Sequence, residues 1–133
     1  MSEHPPILIV DDEEVVRVAL TDILDLFGYR AVTAKDGLEA VRMFTAMAGG
    51  PGVYIVILDL MMPGLNGIDT MHKLCAINPD VQIIIASGYD RDEVVERFTL
   101  GNYNRDKVHF LQKPYTMATI VSLVEQCQGA QPG

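Results

Sequence analysis

Short apolar runs in this chain end in residues that could do chemistry, and Asp59 is the most informative of them. Asp59 closes the run from Val53 to Leu58, which is bounded on both sides by glycine and proline. Such a run is typical of a strand buried on both faces. Open α/β sheets keep their functional groups at the carboxyl ends of the strands. Asp59 is therefore placed for catalysis, metal binding or helix capping.

Three other apolar runs end in polar residues in the same manner. Ile7 to Val10 ends in Asp11-Asp12, Val81 to Ala86 ends in Ser87, and Val108 to Gln112 ends in Lys113-Pro114. Neighbouring strands lie about 4.8 Å apart. We therefore expect these acids, the hydroxyl and the lysine to meet at one edge of one sheet.

Asp11, Asp12 and Asp59 together indicate a cation site. Like charges that close raise one another's pKa unless a cation joins them. Hard oxygen ligands with room for water suit Mg²⁺. Asp12 alone would more often be a helix N-cap. With Asp11 beside it and Asp59 at another strand end, metal binding is the better interpretation.

Lys113 and Ser87 extend this site toward an anion. The lysine ammonium, on a flexible stem, can reach an anion held at neighbouring strand ends. Ser87 is the hydroxyl at the same edge, although it could simply start a turn before Gly88. Jointly with the acids, these groups predict a site for a tetrahedral dianion.

The elements that must position these groups follow from the hydrophobic pattern. Strands are predicted at the four runs above and at Arg30 to Ala34, and an apolar stripe at helical spacing follows each of them. Asp36 with Glu39, and Asp90 with Glu93, predict capping boxes. Five β-α units in strict alternation predict an α/β fold with a parallel sheet and helices on both faces. We assign residues 5–128 to one domain and 129–133 to a disordered tail.

Composition excludes several classes of protein. The 133 residues carry a net charge of −8 with scattered basic residues, which argues against a nucleic-acid partner. The longest apolar stretches are too short to cross a bilayer, so no membrane partner is expected. Cys75 and Cys127 lie far apart and have no metal-site spacing. With no signal peptide, this pattern favours a cytoplasmic location.

These residues now form a recognisable set: Asp11-Asp12, Asp59 with Met62-Pro63-Gly64 and Gly67, Ser87-Gly88, and Lys113-Pro114. In this order, each at a predicted strand end, they resemble the response-regulator receiver domain of two-component (phosphorelay) signalling, of the chemotaxis-regulator type. The resemblance covers about residues 5 to 128. It implies a flavodoxin-like, doubly wound five-stranded sheet with strand order 2-1-3-4-5.

The resemblance also implies roles for the acids. Asp59 would accept a phosphoryl group from the phosphohistidine of a histidine kinase or a histidine phosphotransfer protein. Asp12, Asp59 and the backbone carbonyl of Met61 would hold Mg²⁺, and Asp11 would bind it through water. No other cofactor is implied. The domain would signal rather than act as an enzyme, although it would assist its own phosphorylation and dephosphorylation.

The remaining roles concern the switch. Lys113 would pair with the phosphoryl oxygens, across a cis bond to Pro114, and Ser87 would hydrogen-bond to one oxygen in the active state. Phe110 matches the family's switch aromatic, although it could equally be a packed strand residue. The output surface would comprise the helix from Asp92 to Leu100, the last strand and the last helix. It would contact a downstream effector protein or domain, and phosphorylation-linked dimerisation stays open.

Several alternatives remain at this point. A phosphatase of the haloacid-dehalogenase type also phosphorylates an aspartate, but it needs a second acid where this chain has Met61. A flavodoxin-like cofactor binder is disfavoured because the acidic run Asp11 to Glu14 would repel a phosphate. A receiver without chemistry would not need the full set of site residues. Finally, Ser87-Gly88-Tyr89 and the phrase from Phe110 to Thr116 resemble receivers appended to hybrid histidine kinases, which would act as phosphorelay intermediates.

Overall fold

A computed structural model describes residues 5–48, 52, 54–62, 66–98, 100 and 103–129. Five strands alternate with five helices along the described chain, as the hydrophobic pattern predicts. The elements are β1 (Ile7–Val10), α1 (Glu14–Leu26), β2 (Ala31–Ala34), α2 (Gly37–Met47), β3 (Ile55–Asp59), α3 (Gly67–Ile77), β4 (Gln82–Ser87), α4 (Arg91–Arg97), β5 (Val108–Gln112) and α5 (Met117–Gly129).

The five strands form one parallel sheet in the order β2-β1-β3-β4-β5. This order confirms the flavodoxin-like, doubly wound fold. Its register places Asp59 opposite Ala86, and Ser87 opposite Gln112. The carboxyl ends of β1, β3, β4 and β5 therefore open onto the same edge of the sheet.

Alternation along the strands gives the sheet two packed faces. Leu8, Val10, Val56, Leu58, Ile83 and Ile85 pack with residues of α2, α3 and α4. Ile7, Ile9, Ile55, Ile57, Ile84 and Leu111 pack with residues of α1 and α5. Since β3 lies in the middle of the sheet, it is buried on both faces, which is why its sequence is a continuous apolar run.

Helix capping largely follows the predicted signals. Asp90 and Glu93 form a full capping box at α4. Asp36 caps α2, because its Oδ1 accepts from the Glu39 N–H at 2.8 Å. The Glu39 carboxylate accepts from the backbone N–H of Lys35 instead of that of Asp36, so the capping box is not closed.

Several predicted boundaries were wrong by one to three residues. The fourth strand begins at Gln82 and includes Ser87, the helix predicted from Asp92 to Leu100 runs from Arg91 to Arg97, and Gly129 is the last residue of α5 rather than part of a tail. Residues 130–133 lie outside the described residues, as do 63–65 and 101–102, so the predicted tail stays a prediction. Within the described residues, no helix is long and apolar enough to cross a membrane.

Candidate functional site

Three carboxylates meet where β1 and β3 end. One oxygen each from Asp11, Asp12 and Asp59 lies within 4.8 Å of the others. Asp11 and Asp59 are buried, with only 3% and 5% of their surface exposed, whereas Asp12 is exposed. The structure therefore brings together the three acids that the sequence singled out, and solvent reaches them from one side.

Local hydrogen bonds fix the Asp11 end of this cluster. Asp11 Oδ1 accepts from the Glu13 N–H at 2.9 Å, and the Asp11 carbonyl accepts from Arg17 Nη1 at 2.8 Å. The N-cap of α1 is Glu13, which makes no side-chain capping bond. The reading of Asp12 as an N-cap is therefore wrong, and its carboxylate is left for the cluster.

Burial disfavours the charged form of Asp11 and of Asp59. Burial raises the pKa of the Asp59 carboxyl, repulsion from Asp11 raises it further, and the Lys113 ammonium offsets part of both effects. Burial likewise raises the pKa of Asp11, while its bond from Glu13 acts in the opposite direction. The cluster thus gains from a cation that joins the charged carboxylates.

This donor set fits Mg²⁺. Its ligands are carboxylate oxygens, the cluster holds more negative charge than Lys113 balances, and exposed Asp12 leaves space for the waters that Mg²⁺ retains. Met61 adds a backbone group beside Asp59, because its N–H donates to Asp59 Oδ1 at 3.3 Å. Met61 is 61% exposed, and a thioether is not a ligand that Mg²⁺ prefers, so the backbone of Met61 is the part that suits this site.

Lys113 reaches the cluster from the far side of β4. Its Nζ lies 3.4 Å from Asp59 Oδ1. The Lys113 N–H donates to the Ser87 carbonyl at 2.7 Å, which ties the chain after β5 to the end of β4. The bond to Pro114 is cis, as expected. The ammonium therefore lies beside the carboxylate at which an anion would arrive.

The backbone of β3 passes so close to residue 67 that only glycine fits there. A Cβ at Gly67 would lie 2.6 Å from the Asp59 carbonyl oxygen and 2.7 Å from Leu60 Cα. The Gly67 N–H donates to the Leu60 carbonyl at 3.1 Å. The start of α3 thus packs directly on the backbone that carries Asp59, and any side chain would push the two apart.

Ser87 lies at the same edge, but its hydroxyl is engaged elsewhere. It is 3% exposed, donates to the Tyr89 carbonyl at 2.9 Å and accepts from the Tyr89 N–H at 3.1 Å. This is the turn-starting arrangement that the sequence left open. A contact from Ser87 to an anion on Asp59 would require the hydroxyl to turn.

Phe110 lies on the opposite face of β5 from the α5 contacts and is half-buried. Its ring meets the Tyr103 ring edge-on, with 5.9 Å between centroids and 81° between planes. The Arg105 guanidinium carbon lies 5.4 Å from the Tyr103 centroid. Phe110 therefore packs against a residue of the segment before β5, and its role as a switch stays a prediction.

Sequence reasoning did not predict the surroundings of two tyrosines. Burial raises the pKa of Tyr115, and the charges of Asp11 and Asp59 raise it further, so this ring lies within the field of the acids. The position of Tyr115 directly after Lys113-Pro114 could have indicated this. Tyr89 contacts α4 through its ring, and no local sequence signal predicts that contact.

Comparison with known proteins identifies relatives over nearly the whole chain. The sequence model of a family described as Response regulator receiver domain matches residues 7–125. Sporulation initiation phosphotransferase F of Bacillus subtilis is 30% identical over 121 residues, which cover 90% of this chain and 90% of that protein. Sensor kinase CckA of Brucella abortus is 29% identical over 126 residues, covering 95% of this chain and 13% of that protein.

The fold has matching solved structures. The receiver domain of the hybrid histidine kinase CckA superposes with a TM-score of 0.74 at 28% identity, covering 92% of this chain and 98% of that one. The chain spans only 13% to 27% of the length of three longer curated relatives. The similarity to such relatives is therefore to one of their parts.

Proposed function

The chain belongs to the response-regulator receiver family of two-component signalling, and on this premise we propose that it is a phosphoacceptor whose acceptor residue is Asp59. The observation that carries the proposal is the pairing of a nearly buried carboxylate with Lys113 Nζ at 3.4 Å, beside two further acids. The donor would be a histidine kinase or a histidine phosphotransfer protein. The receiver domain would extend over residues 5–128, in the cytoplasm.

The proposed reaction is a transfer between two side chains. An Asp59 carboxylate oxygen attacks the phosphorus of a phosphohistidine, the phosphorus–nitrogen bond breaks, and the imidazole ring leaves with the bonding electron pair and takes up one proton from water to become neutral. The product is an acyl phosphate on Asp59. Lys113 balances the charge of the phosphoryl oxygens from the side of β5.

Mg²⁺ would be held by Asp12, Asp59 and the Met61 carbonyl, with Asp11 acting through water. When bound, it would neutralise charge on the phosphoryl oxygens and on the cluster. Asp11 and Asp12 therefore serve the reaction by keeping this ion beside Asp59. Their acidity also makes the site repel free anions when no cation is present.

The signal would leave through Ser87, Phe110 and the surface formed by α4, β5 and α5. Ser87 would turn from Tyr89 toward a phosphoryl oxygen, and Phe110 would have to break its edge contact with Tyr103 to turn inward. A cleft of about 590 Å³ lies at this surface, lined in part by Tyr103, Phe110 and Leu123. This cleft is the proposed contact area for a downstream effector.

Two settings fit the same chemistry. Similarity over 90% of a phosphotransferase of Bacillus subtilis supports a stand-alone receiver. Similarity to the receiver of a hybrid histidine kinase supports a relay intermediate within a longer protein. In the second setting Asp59 would pass its phosphoryl group on to another histidine instead of driving an effector directly.

The test is phosphorylation from a small donor. The chain is incubated with acetyl phosphate and Mg²⁺, and its intact mass is measured for wild type, Asp59→Asn and Asp92→Asn. Asp92 is exposed on α4 and lies outside the acid cluster. One added phosphoryl group in wild type and Asp92→Asn, but not in Asp59→Asn, supports the proposal. An adduct that survives Asp59→Asn, or none on the folded wild type, contradicts it.

A further inference from the structure

Tyr89 connects the Ser87 hydroxyl to α4. Its backbone holds Ser87 Oγ through the two bonds described above, at 2.9 and 3.1 Å. Its ring lies under the Arg97 guanidinium, 4.8 Å from the centroid, and packs against the Phe98 ring at 6.3 Å. We propose that Tyr89 and Arg97 are positioning residues that hold the Ser87 hydroxyl away from Asp59. We call Ser87, Tyr89, Arg97 and Phe98 the Tyr89 latch.

The inference rests on the proposed function, because it concerns the contact between Ser87 and a phosphoryl group on Asp59. A hydroxyl has one proton to donate. In this structure that proton goes to the Tyr89 carbonyl. Ser87 therefore donates either to Tyr89 or to a phosphoryl oxygen, and never to both. Whatever stabilises the turn at Tyr89 opposes the active contact by the same free energy.

The ring contact makes α4 part of this competition. Tyr89 precedes Asp90, the N-cap of α4, whose capping box fixes the start of the helix. Arg97 is the last residue of α4, and helical side chains point toward the helix N-terminus, which brings its guanidinium back over the ring. Tyr89 is thus attached to both ends of a seven-residue helix. Turning Ser87 away disturbs the backbone that places this ring.

Phe110, the proposed switch aromatic, has a different neighbourhood. Phe110 contacts Tyr103 from the segment before β5, and its side chain has no group that can hydrogen-bond. The backbone N–H and carbonyl of Tyr89 make hydrogen bonds directly with the Ser87 hydroxyl. The Tyr89 latch therefore provides a shorter route from the site to α4 than Phe110 does.

The test measures the affinity for a phosphoryl analogue. Beryllofluoride is titrated calorimetrically into the chain with Mg²⁺, for wild type, Arg97→Met and Arg97→Lys. Arg97 is exposed, so its replacement leaves the core intact. Loss of a cation over an aromatic ring at an exposed site corresponds to a roughly two- to fivefold change in the equilibrium. Arg97→Met should bind that much more tightly, and Arg97→Lys, which keeps a cation over the ring, should stay near wild type.

Repeating the titration in a Ser87→Ala chain separates an effect on the Ser87 hydroxyl from a general effect on α4. In Ser87→Ala there is no hydroxyl to release, so Arg97→Met should no longer alter the affinity. Tyr89→Leu should tighten binding as Arg97→Met does, and the double variant should gain little more, since both changes open one latch. The amide resonance of Tyr89 offers an independent readout, because its N–H loses the Ser87 bond when the latch opens.

Each outcome decides between the two proposals. An unchanged affinity in Arg97→Met, or an equal gain in the Ser87→Ala background, overturns the Tyr89 latch while leaving the phosphoacceptor proposal standing. Analogue binding by wild type that Asp59→Asn retains, or no binding by the folded wild type, overturns the proposed function and the latch with it. Tighter binding that depends on Ser87 supports both.

Discussion

Lys113 Nζ lies 3.4 Å from Asp59 Oδ1, although β4 separates the strands that carry the two residues. Two strand spacings amount to about 9–10 Å at the backbone. Only a long cationic side chain can cover that distance, and the Lys113 N–H bond to Ser87 fixes where its stem begins. Lys113 therefore balances part of the charge of the acid cluster, and under the proposed function it would also help to position an incoming phosphoryl group.

We predict that Lys113→Met slows phosphorylation of Asp59 by roughly ten- to a hundredfold, because a preorganised positive group beside the developing charge is lost. Lys113→Arg should recover part of the rate, since it restores the charge with a different geometry. The measurement is the rate of phosphorylation by acetyl phosphate with Mg²⁺ present. An unchanged rate in Lys113→Met would show that Lys113 only balances charge in the resting protein.

We predict that Mg²⁺ stabilises the chain through the acid cluster. At roughly five times its dissociation constant, an ion that binds only the folded state adds about 1 kcal/mol to the free energy of unfolding. Asp12→Asn should lose most of this gain, whereas Glu96→Gln, which removes one charge from α4 outside the cluster, should keep it. Urea unfolding with Mg²⁺ and with a chelator measures the difference. An equal gain in both variants would place the ion elsewhere.

Gly67→Ala should destabilise the fold by about 1–3 kcal/mol, since the added methyl group would overlap the backbone at Asp59 and Leu60. Phosphorylation should slow in the same variant, because α3 and the Asp59 strand end must separate. Gly129→Ala is the matched control, as nothing lies within 4 Å of a Cβ there. Urea unfolding and the phosphorylation rate are measured together. Wild-type behaviour of Gly67→Ala in both would contradict the close packing.

A half-buried histidine predicts a pH effect on stability. His109 Nε2 lies 2.7 Å from Gln82 Oε1, and burial lowers the pKa of His109 from its ordinary value of 6.5. Between these two pKa values the unfolded chain binds more protons than the folded one. Stability from neutral His109 is thus fully present above about pH 6.5 and is lost as pH falls through the folded pKa.

The measurement for this effect is urea unfolding between pH 7.5 and 5 for wild type, His109→Gln and His72→Gln. His72 is exposed on α3, so its replacement controls for the loss of one histidine. Wild type and His72→Gln should lose more stability on acidification than His109→Gln does. Parallel curves for all three chains would show that the pKa of His109 is the same in the folded and the unfolded chain, which contradicts the prediction.

Much of the fold could be predicted because its signals are local. The apolar run before Asp59 indicates a doubly buried strand, and Asp90 with Glu93 marks a helix start, without reference to the rest of the chain. Ser87 was expected just beyond its strand and instead ends it, because β5 extends the pairing as far as Gln112. Strand ends depend on neighbours that a single sequence does not display.

The acid cluster was predictable for a similar reason, since parallel strands bring their carboxyl ends to one edge. The contacts of Tyr89 with Arg97 and of Phe110 with Tyr103 were not. They depend on side-chain conformations and on how α4 packs, and neither leaves a periodic pattern in the sequence. The reason for Gly67 became clear only from its distance to the Asp59 carbonyl.

The central claim, that Asp59 is the phosphoacceptor, is tested most directly by locating the modification. The chain is phosphorylated with acetyl phosphate and Mg²⁺, the acyl phosphate is reduced with borohydride, and the modified residue is identified by peptide mass spectrometry. We predict modification at Asp59 and at neither Asp11 nor Asp12. A reduced residue at any other position, or no modification of the folded chain, would contradict the assignment.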